Sequence, residues 1–169
     1  MSDPLVSVIV PIYNSFKYLP TSLESLHQQD LSSAQFILAN DGSSDNSLQI
    51  MRKYAEKDPR FEFLDFPHQG TGKTRNMAMK SARGKYIICY DPDDYYSCNN
   101  VLSSLYKQAE SQNCDMIVFN YNIMDESGNV IKECDIAENL KSTHILNNVD
   151  TFNWRNIKGK IFEALSFSA

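Results

Sequence analysis

Short apolar runs of strand length alternate along this chain with stretches whose apolar residues recur at helical spacing, and that alternation limits the fold more than any other feature. Leu5-Val6-Ser7-Val8-Ile9-Val10 is a β-branched run closed by Pro11, as expected of a buried strand that ends at the proline. Tyr18, Leu19, Leu23 and Leu26 then fall on one helical face, with Pro20 tolerated in the first turn. Phe36-Ile37-Leu38-Ala39 reads as a second strand, followed by turn-forming Asn40-Asp41-Gly42-Ser43-Ser44-Asp45 and a helix from Ser47 to Glu56. Phe61 to Phe66 reads as a third strand with its phenylalanines on one face. Gly70 to Gly72 opens a helix through Met79 that Gly84 is expected to cap. Lys85 to Tyr90, a helix from Val101 to Ala109, and a strand from Asp115 to Tyr121 continue the series, and the Asp125-Glu126-Ser127-Gly128-Asn129 turn before Val130-Ile131 suggests a hairpin. Such alternation implies an α/β fold, a mainly parallel central sheet with helices on both faces. Beyond Cys134 the pattern weakens, and helical fragments are expected near Ile145-Leu146 and Ile161-Phe162.

Length and charge narrow the function classes. At 169 residues the chain has room for one main domain. Sixteen basic against 21 acidic residues leave a net charge of −5, which disfavours general affinity for nucleic acid or for an anionic membrane surface. The four cysteines form no C-x-x-C pair, so zinc-ribbon and thioredoxin-type chemistry are not supported. Met1-Ser2-Asp3-Pro4 lacks the basic start of a secretory signal, and no long uninterrupted apolar run suggests a membrane span. The expected location is the cytoplasm, either free or peripheral to the inner face of the membrane.

Polar residues gather at the carboxyl ends of the expected strands, where open α/β sheets bind ligands. Pro11-Ile12-Tyr13-Asn14, Asn40-Asp41-Gly42-Ser43 and Asp91-Pro92-Asp93-Asp94 would form one rim. Three aspartates within four residues repel one another unless solvated, hydrogen-bonded or neutralised by a cation. Hard oxygen ligands suit Mg²⁺ or Mn²⁺, which is commonly held by one or two carboxylates plus substrate phosphates. A solvated acidic turn with Asp94 capping the next helix is the plainer alternative, and its place after a buried strand favours the cation. Asp41 is suited to accept from a base N–H and Tyr13 to stack on a base, although an Asx turn at Asp41 fits the spacing equally well. Gly70-Thr71-Gly72-Lys73-Thr74 ends like a Walker A loop but has Pro67 where that motif needs glycine. Lys73 and Arg75 nonetheless lie near a helix N-terminus, where phosphate oxygens are favoured. His27, His68 and His144 show no metal-ligand spacing, and Tyr95 and Tyr96 lie where they could line a sugar pocket.

Taken in order, Val6 to Asn14, Asn40 to Asp45, Arg75-Asn76, Ala82, Gly84, Tyr86 and Asp91-Pro92-Asp93-Asp94 resemble the family-2 glycosyltransferases of GT-A (Rossmann-like) fold. The resemblance implies inverting transfer of a sugar from a nucleotide donor, usually a UDP-sugar, to an acceptor hydroxyl of a polysaccharide or glycolipid, assisted by Mn²⁺ or Mg²⁺. Pro11, Tyr13 and Asn14 would belong to the donor-nucleotide site, Asp41 would accept from the uracil N–H, and Arg75 would lie on the diphosphate side. Asp93 would contact the metal directly, with Asp91 on the ribose or acting on the metal through water. Asn40 replaces the first acid of the usual pair. No residue has the context of the family's catalytic base, and Asp135, Glu138, Asp150 and Glu163 lack it. Residues 1–134 are therefore expected to form the nucleotide-sugar-binding domain, and residues 135–169 to begin an acceptor-side region of a longer enzyme. A sugar-nucleotide-binding module without turnover is the second reading. A Mg²⁺-dependent phosphoacceptor domain is a remote third, because such domains carry an acidic pair after the first strand.

Overall fold

The computed structural model describes residues 3–113, 115–125, 127–134 and 160–163. In chain order the elements are β1 (Val6–Ile12), α1 (Leu19–His27), β2 (Ala34–Asp41), α2 (Ser47–Lys57), β3 (Phe61–Phe66), α3 (Thr71–Met79), β4 (Tyr86–Cys89), α4 (Val101–Gln112), β5 (Met116–Val118), β6 (Tyr121–Met124), β7 (Val130–Cys134) and β8 (Lys160–Glu163). A six-stranded sheet runs β3-β2-β1-β4-β8-β5, and every pairing in it is parallel. β6 and β7 form a separate antiparallel hairpin.

Pleat alternation divides the sheet into two apolar faces. Val6, Val8, Val10 and Ile12 of β1 join Phe36, Leu38 and Ile88 against Leu19, Leu23 and Leu26 of α1, Met51 of α2 and Leu102, Leu105 and Ala109 of α4. On the other face Ile9, Ile37, Ala39 and Ile87 pack with Ala78 of α3. Every residue of β1 and β2 is buried, as continuous apolar strands between two helical layers require.

Several boundaries depart from the sequence reading for identifiable reasons. β1 continues through Pro11 to Ile12 instead of stopping at the proline. The Ile9 carbonyl accepts from Tyr90 N at 2.9 Å, and the last paired rung toward β4 is Ile9–Cys89, so the missing N–H of Pro11 falls on that side after the ladder has ended. Asn40 and Asp41 are the last two residues of β2 and not part of the turn. Phe66 packs on the α3 face, opposite Phe61 and Phe63, because an odd number of residues does not separate it from them. Gly84 does not cap α3, which ends at Met79. Its N–H donates to Ser7 Oγ at 2.8 Å, and its bare α-carbon lies against the β1 backbone, where a β-carbon would fall on Ser7 N. The 115–121 run divides into β5 and β6. Ile161-Phe162 lies in a strand that pairs with β4 and β5, not in a helical fragment. Ile145-Leu146 lies outside the described residues.

β1 leads outward in one direction to β2 and β3, and β4 lies on its other side. The strand order thus reverses between the parallel strands β1 and β4, and the carboxyl ends of these two strands flank a crevice where α/β sheets place ligands.

Candidate functional site

Each loop at that end is fixed by backbone and side-chain hydrogen bonds. Asn14 takes a left-handed conformation with φ of 48°, which asparagine tolerates better than most residues. Its Oδ1 accepts from Ser44 N at 2.8 Å and its own N–H donates to Ser43 Oγ at 3.1 Å. Phe16 N and Ser47 N donate to the two oxygens of Asp45 at 3.0 and 2.9 Å. The loops after β1 and β2 are therefore stapled together, and Asn14 is one of the staples.

Tyr13 projects from this staple with 45% of its surface exposed. Its ring stacks on His68, with centroids 4.2 Å apart and planes inclined by 23°. His68 Nδ1 lies 3.1 Å from both the Asp41 carbonyl oxygen and Asp41 Oδ2. Gly42, at φ +70°, allows this approach: a β-carbon there would sit 2.6 Å from His68 N.

Asp41 itself is buried, and the first turns of α3 and the two residues before it supply its partners. Thr74 Oγ1 donates to Oδ1 at 2.7 Å, Gln69 N to Oδ1 at 2.9 Å, and Gly70 N to Oδ2 at 3.1 Å. Burial alone would raise its pKa, but these hydrogen bonds and the nearby His68 outweigh that and hold the carboxyl below its usual range. Asn40 faces the other way along the strand, donating from Nδ2 to Asp65 Oδ1 at 2.7 Å.

Across the crevice, Arg75 of α3 donates from an η-nitrogen to Asp91 Oδ1 at 3.1 Å. The pair is partly open to solvent, so its contribution to stability is small. Arg75 Nε is buried and has no hydrogen-bond partner among the described residues. Asp91 follows β4, Asp93 is exposed, and Asp94 N closes the turn on the Asp91 carbonyl at 3.1 Å. Asp94 is exposed as a residue, yet loss of hydration within the cleft, followed by the charges of Asp91 and Asp93, pushes its carboxyl up to about 6. Asp94 does not cap α4, which begins at Val101. Tyr95 is 44% exposed and reaches Met124 Sδ of the hairpin at 2.6 Å, whereas the buried Tyr96 hydroxyl has no partner among the described residues.

The structure thus brings Arg75 to Asp91, with Asp93 two residues on, and Tyr13 to His68 beside Asp41; Thr74, which donates to Asp41, precedes Arg75 in α3 and links the two groups, while Pro11 is a buried strand residue and Asn14 a loop staple. Asp135, Glu138 and Asp150 lie outside the described residues, and Glu163 ends β8 opposite Val118. Sequence spacing missed His68, whose contacts come from residues far away in the chain; the only local signal was a glycine in the turn after β2. Among the described residues no group of three or more histidine, cysteine or acidic side chains converges as a metal cage. Three aspartates in one turn, of which Asp91 is paired with Arg75, leave carboxylate oxygens that suit a divalent cation whose remaining ligands are phosphate oxygens.

The chain matches the family described as Glycosyl transferase family 2 over residues 7–164. It is 34% identical over 141 residues to EpsH of Bacillus subtilis (strain 168), covering 82% of this chain and 40% of that protein. It is 36% identical over 124 residues to glycosyltransferase GlyG of Streptococcus pneumoniae serotype 4, covering 73% of this chain and 41% of the relative. The chain therefore spans about two fifths of the length of these curated relatives. Among solved structures, residues 1–349 of Staphylococcus aureus TarS in complex with UDP superimpose with a TM-score of 0.65 at 30% identity, covering 76% of this chain and 38% of that one. The TarS complex with UDP-GlcNAc gives the same TM-score.

Proposed function

The chain belongs to glycosyl transferase family 2, and from that premise we propose that the crevice between β1 and β4 is the donor side of an inverting glycosyltransferase site, taking a sugar from a UDP-sugar to a saccharide or lipid-linked acceptor hydroxyl with Mn²⁺ or Mg²⁺ bound. The observation that carries this reading is the meeting of Arg75 with Asp91 across the switch point, 3.1 Å apart, beside an acidic turn. A cation and a carboxylate pair at one spot have complementary uses for a diphosphate: the guanidinium faces phosphate oxygens, and the carboxylates hold the counter-ion. Structures of TarS with UDP and with UDP-GlcNAc support the choice of nucleotide.

Each residue has a definite task in this reading. Tyr13, braced from behind by His68, presents its ring to the base. Asp41 orders the N-terminal end of α3 through Gln69, Gly70 and Thr74, and so places Arg75 one position further along. A donor on the base has to share Asp41 with those partners. Arg75 exchanges its exposed pairing with Asp91 for the diphosphate, at little cost because a half-exposed ion pair contributes little. Asp93 and Asp91 would hold the metal, which when bound supplies positive charge opposite the leaving diphosphate. The cytoplasmic side of a membrane, where nucleotide sugars and lipid-linked acceptors meet, is the location this reading implies; no helix among the described residues is long and apolar enough to cross a bilayer.

Titration with UDP, with and without Mn²⁺, tests the reading. Thermal shift should grow with ligand as RT ln(1 + [L]/Kd), and the Mn²⁺-dependent part should disappear in Asp93→Ala. Binding that is absent, or unchanged by metal and by that substitution, sinks it. Release of UDP on addition of an acceptor reports turnover.

A further inference from the structure

Tyr90 is an unusual core residue. It directly precedes the acidic turn, is 5% exposed, and occupies the main core with β4 and α1, where an aliphatic side chain would fill the space without a polar atom. A buried phenol needs a partner, and this one spends its proton on the very loop it precedes. Its hydroxyl donates to the Asp94 carbonyl oxygen at 2.7 Å, bridging the turn from beneath. On its other side lie Ser25 Oγ at 3.1 Å and Ser22 Oγ at 3.5 Å, both on α1. With the phenolic proton committed to Asp94, Ser22 Oγ donates to the phenol, while the single Ser25 hydroxyl proton is divided between the phenol oxygen and the Ser22 carbonyl oxygen, which lies 2.8 Å away. Burial, reinforced by the charges of Asp94 and Asp93 and opposed by the serine hydrogen bonds, pushes the phenol up to about 12, so it stays a donor at neutral pH.

The anchoring continues beyond the turn. Ser25 Oγ accepts from Tyr96 N at 3.1 Å, and the Tyr90 and Tyr96 rings lie 5.1 Å apart. Gln29, at the end of α1, donates to the Cys98 carbonyl at 2.8 Å and accepts from Leu102 N at 3.1 Å. Asp30 N donates to the Asn99 carbonyl at 2.8 Å, and Ser103 Oγ donates to Asp30 Oδ2 at 3.0 Å. Tyr96 is thereby tied to α1, and Cys98, Asn99, Leu102 and Ser103 to Gln29 and Asp30 just beyond its end, while Asp93 stays exposed and Asp91 faces Arg75. The turn has one end on β4 and the other on this strap, and Tyr90 touches both.

We propose that Tyr90, with Ser25 of α1 as its support, is a positioning residue for the acidic turn: by holding the Asp94 end it presets Asp91 and Asp93 for a divalent cation and a diphosphate, and so governs the metal-dependent part of nucleotide affinity. This rests on the donor-site reading above. Tyr90 touches neither cation nor nucleotide. Its effect is on the geometry of the carboxylates, so it should change what Mn²⁺ adds and leave alone what the base pocket provides without metal.

The test is calorimetric titration of UDP into the full chain in EDTA and in Mn²⁺, for the wild type, Tyr90→Phe and Ser25→Ala. Tyr90→Phe keeps the ring and deletes the clamp. The expected result is a loss of roughly 3- to 10-fold in the Mn²⁺ enhancement of UDP affinity, the worth of about one hydrogen bond, with affinity in EDTA unchanged. Ser25→Ala, which leaves Tyr90 in place, should show a smaller loss of the same kind. An unchanged enhancement in both variants, or an equal fall with and without Mn²⁺, overturns the inference. A wild type whose UDP affinity ignores Mn²⁺ overturns the donor-site reading instead, and the two failures are told apart by which protein shows them.

Discussion

The two ends of the sheet treat their polar groups in opposite ways. At the amino end, buried polar atoms are paired with one another. Ser7 Oγ donates to Gln35 Oε1 at 2.6 Å and accepts from Gly84 N at 2.8 Å, and Gln35 also accepts from Arg83 N at 3.0 Å and donates to the Ser81 carbonyl at 3.1 Å. Nearby, Arg60 is held by Asp58 and by the carbonyls of Gln29, Leu31 and His27. At the carboxyl end Asp91, Asp93 and Asp94 crowd together with Arg75 on Asp91, and two buried polar atoms, Arg75 Nε and Tyr96 Oη, lack partners among the described residues. Two aspartates express the contrast: burial would raise Asp58, but hydrogen bonds from Arg60 and His27 bring it down to about 2, whereas desolvation and two like charges push Asp94 up to about 6. One end is built to be stable by itself, and the other is left in need of something that binds.

If that contrast is right, the largest loss comes from the amino end. Asp58→Ala leaves Arg60 buried beside carbonyl oxygens with no counter-charge, and removing one partner of a buried pair costs about 3–5 kcal/mol. The three carbonyl acceptors that Arg60 retains place the expectation at the lower bound. Chemical denaturation measures it. The sign with pH follows from the depressed pKa: the stabilising effect is full above the unfolded value near 4, and it is lost as pH falls toward about 2. Acid unfolding of the wild type should steepen in that window, and the variant should lose that share of the slope. A slope unchanged by the substitution would put the acid sensitivity elsewhere.

Gly84→Ala is next. The added methyl meets the β1 backbone at Ser7 N and not a movable side-chain tip, so β1 or the α3–β4 connection has to shift. The expected loss is about 2 kcal/mol, within the usual range for overpacking, read as a lower midpoint at unchanged denaturant dependence. Tolerance of alanine there would show that the amino end is looser than its hydrogen bonds indicate.

These two positions also show what was legible in the sequence. β1, β2 and β3 could be read as short apolar runs of strand length, continuously buried in β1 and β2, and α1 and α2 because their apolar residues recur at helical spacing. The rim could be placed because its polar residues directly follow those runs. Gly84 was misread as a cap because the reason for glycine lies in a strand entered 77 residues earlier in the chain. His68 was passed over because its partners come from elsewhere in the chain, Tyr13 from the loop after β1 and Asp41 from the end of β2, and Tyr90 counted as strand apolar surface because a phenol's role depends on which backbone oxygen it reaches. Local pattern carries propensity and burial; it carries no information about which loops meet.

At the carboxyl end the effects are smaller and fall on binding. His68→Ala removes the ring behind Tyr13 while leaving Asp41 its three donors Gln69, Gly70 and Thr74. An aromatic pair contributes about 0.5–1.5 kcal/mol beyond its buried area, so UDP affinity should fall by roughly 2- to 12-fold, with and without Mn²⁺ alike, because the base pocket and not the acidic turn is affected. A loss seen only with Mn²⁺ would mean that His68 acts on the diphosphate.

The smallest effect has the opposite sign, and that makes it the sharpest test of the contrast between the ends. Asp94→Asn keeps the shape of the side chain and leaves the backbone oxygen that Tyr90 clamps, while it removes one of three clustered negative charges. The raised pKa means that the ionised form of Asp94 is disfavoured in the folded protein, so above about 6 its charge weakens the fold. Solvent reaches this residue and screens much of the repulsion, so the gain on neutralising it should be only about 0.5 kcal/mol, a rise of roughly 1–2 °C in melting temperature for a domain of this size. The rise should be present in EDTA and shrink or reverse with Mn²⁺ and UDP, because a cation relieves the same repulsion in the wild type and does so more effectively when all three carboxylates are charged. A carboxylate at the amino end cannot behave this way: removing Asp58 costs stability under every condition above pH 4, since its partner is already in place. If Asp94→Asn instead lowers the melting temperature in EDTA, the acidic turn is a structural element like those at the amino end, and the contrast between the two ends is lost.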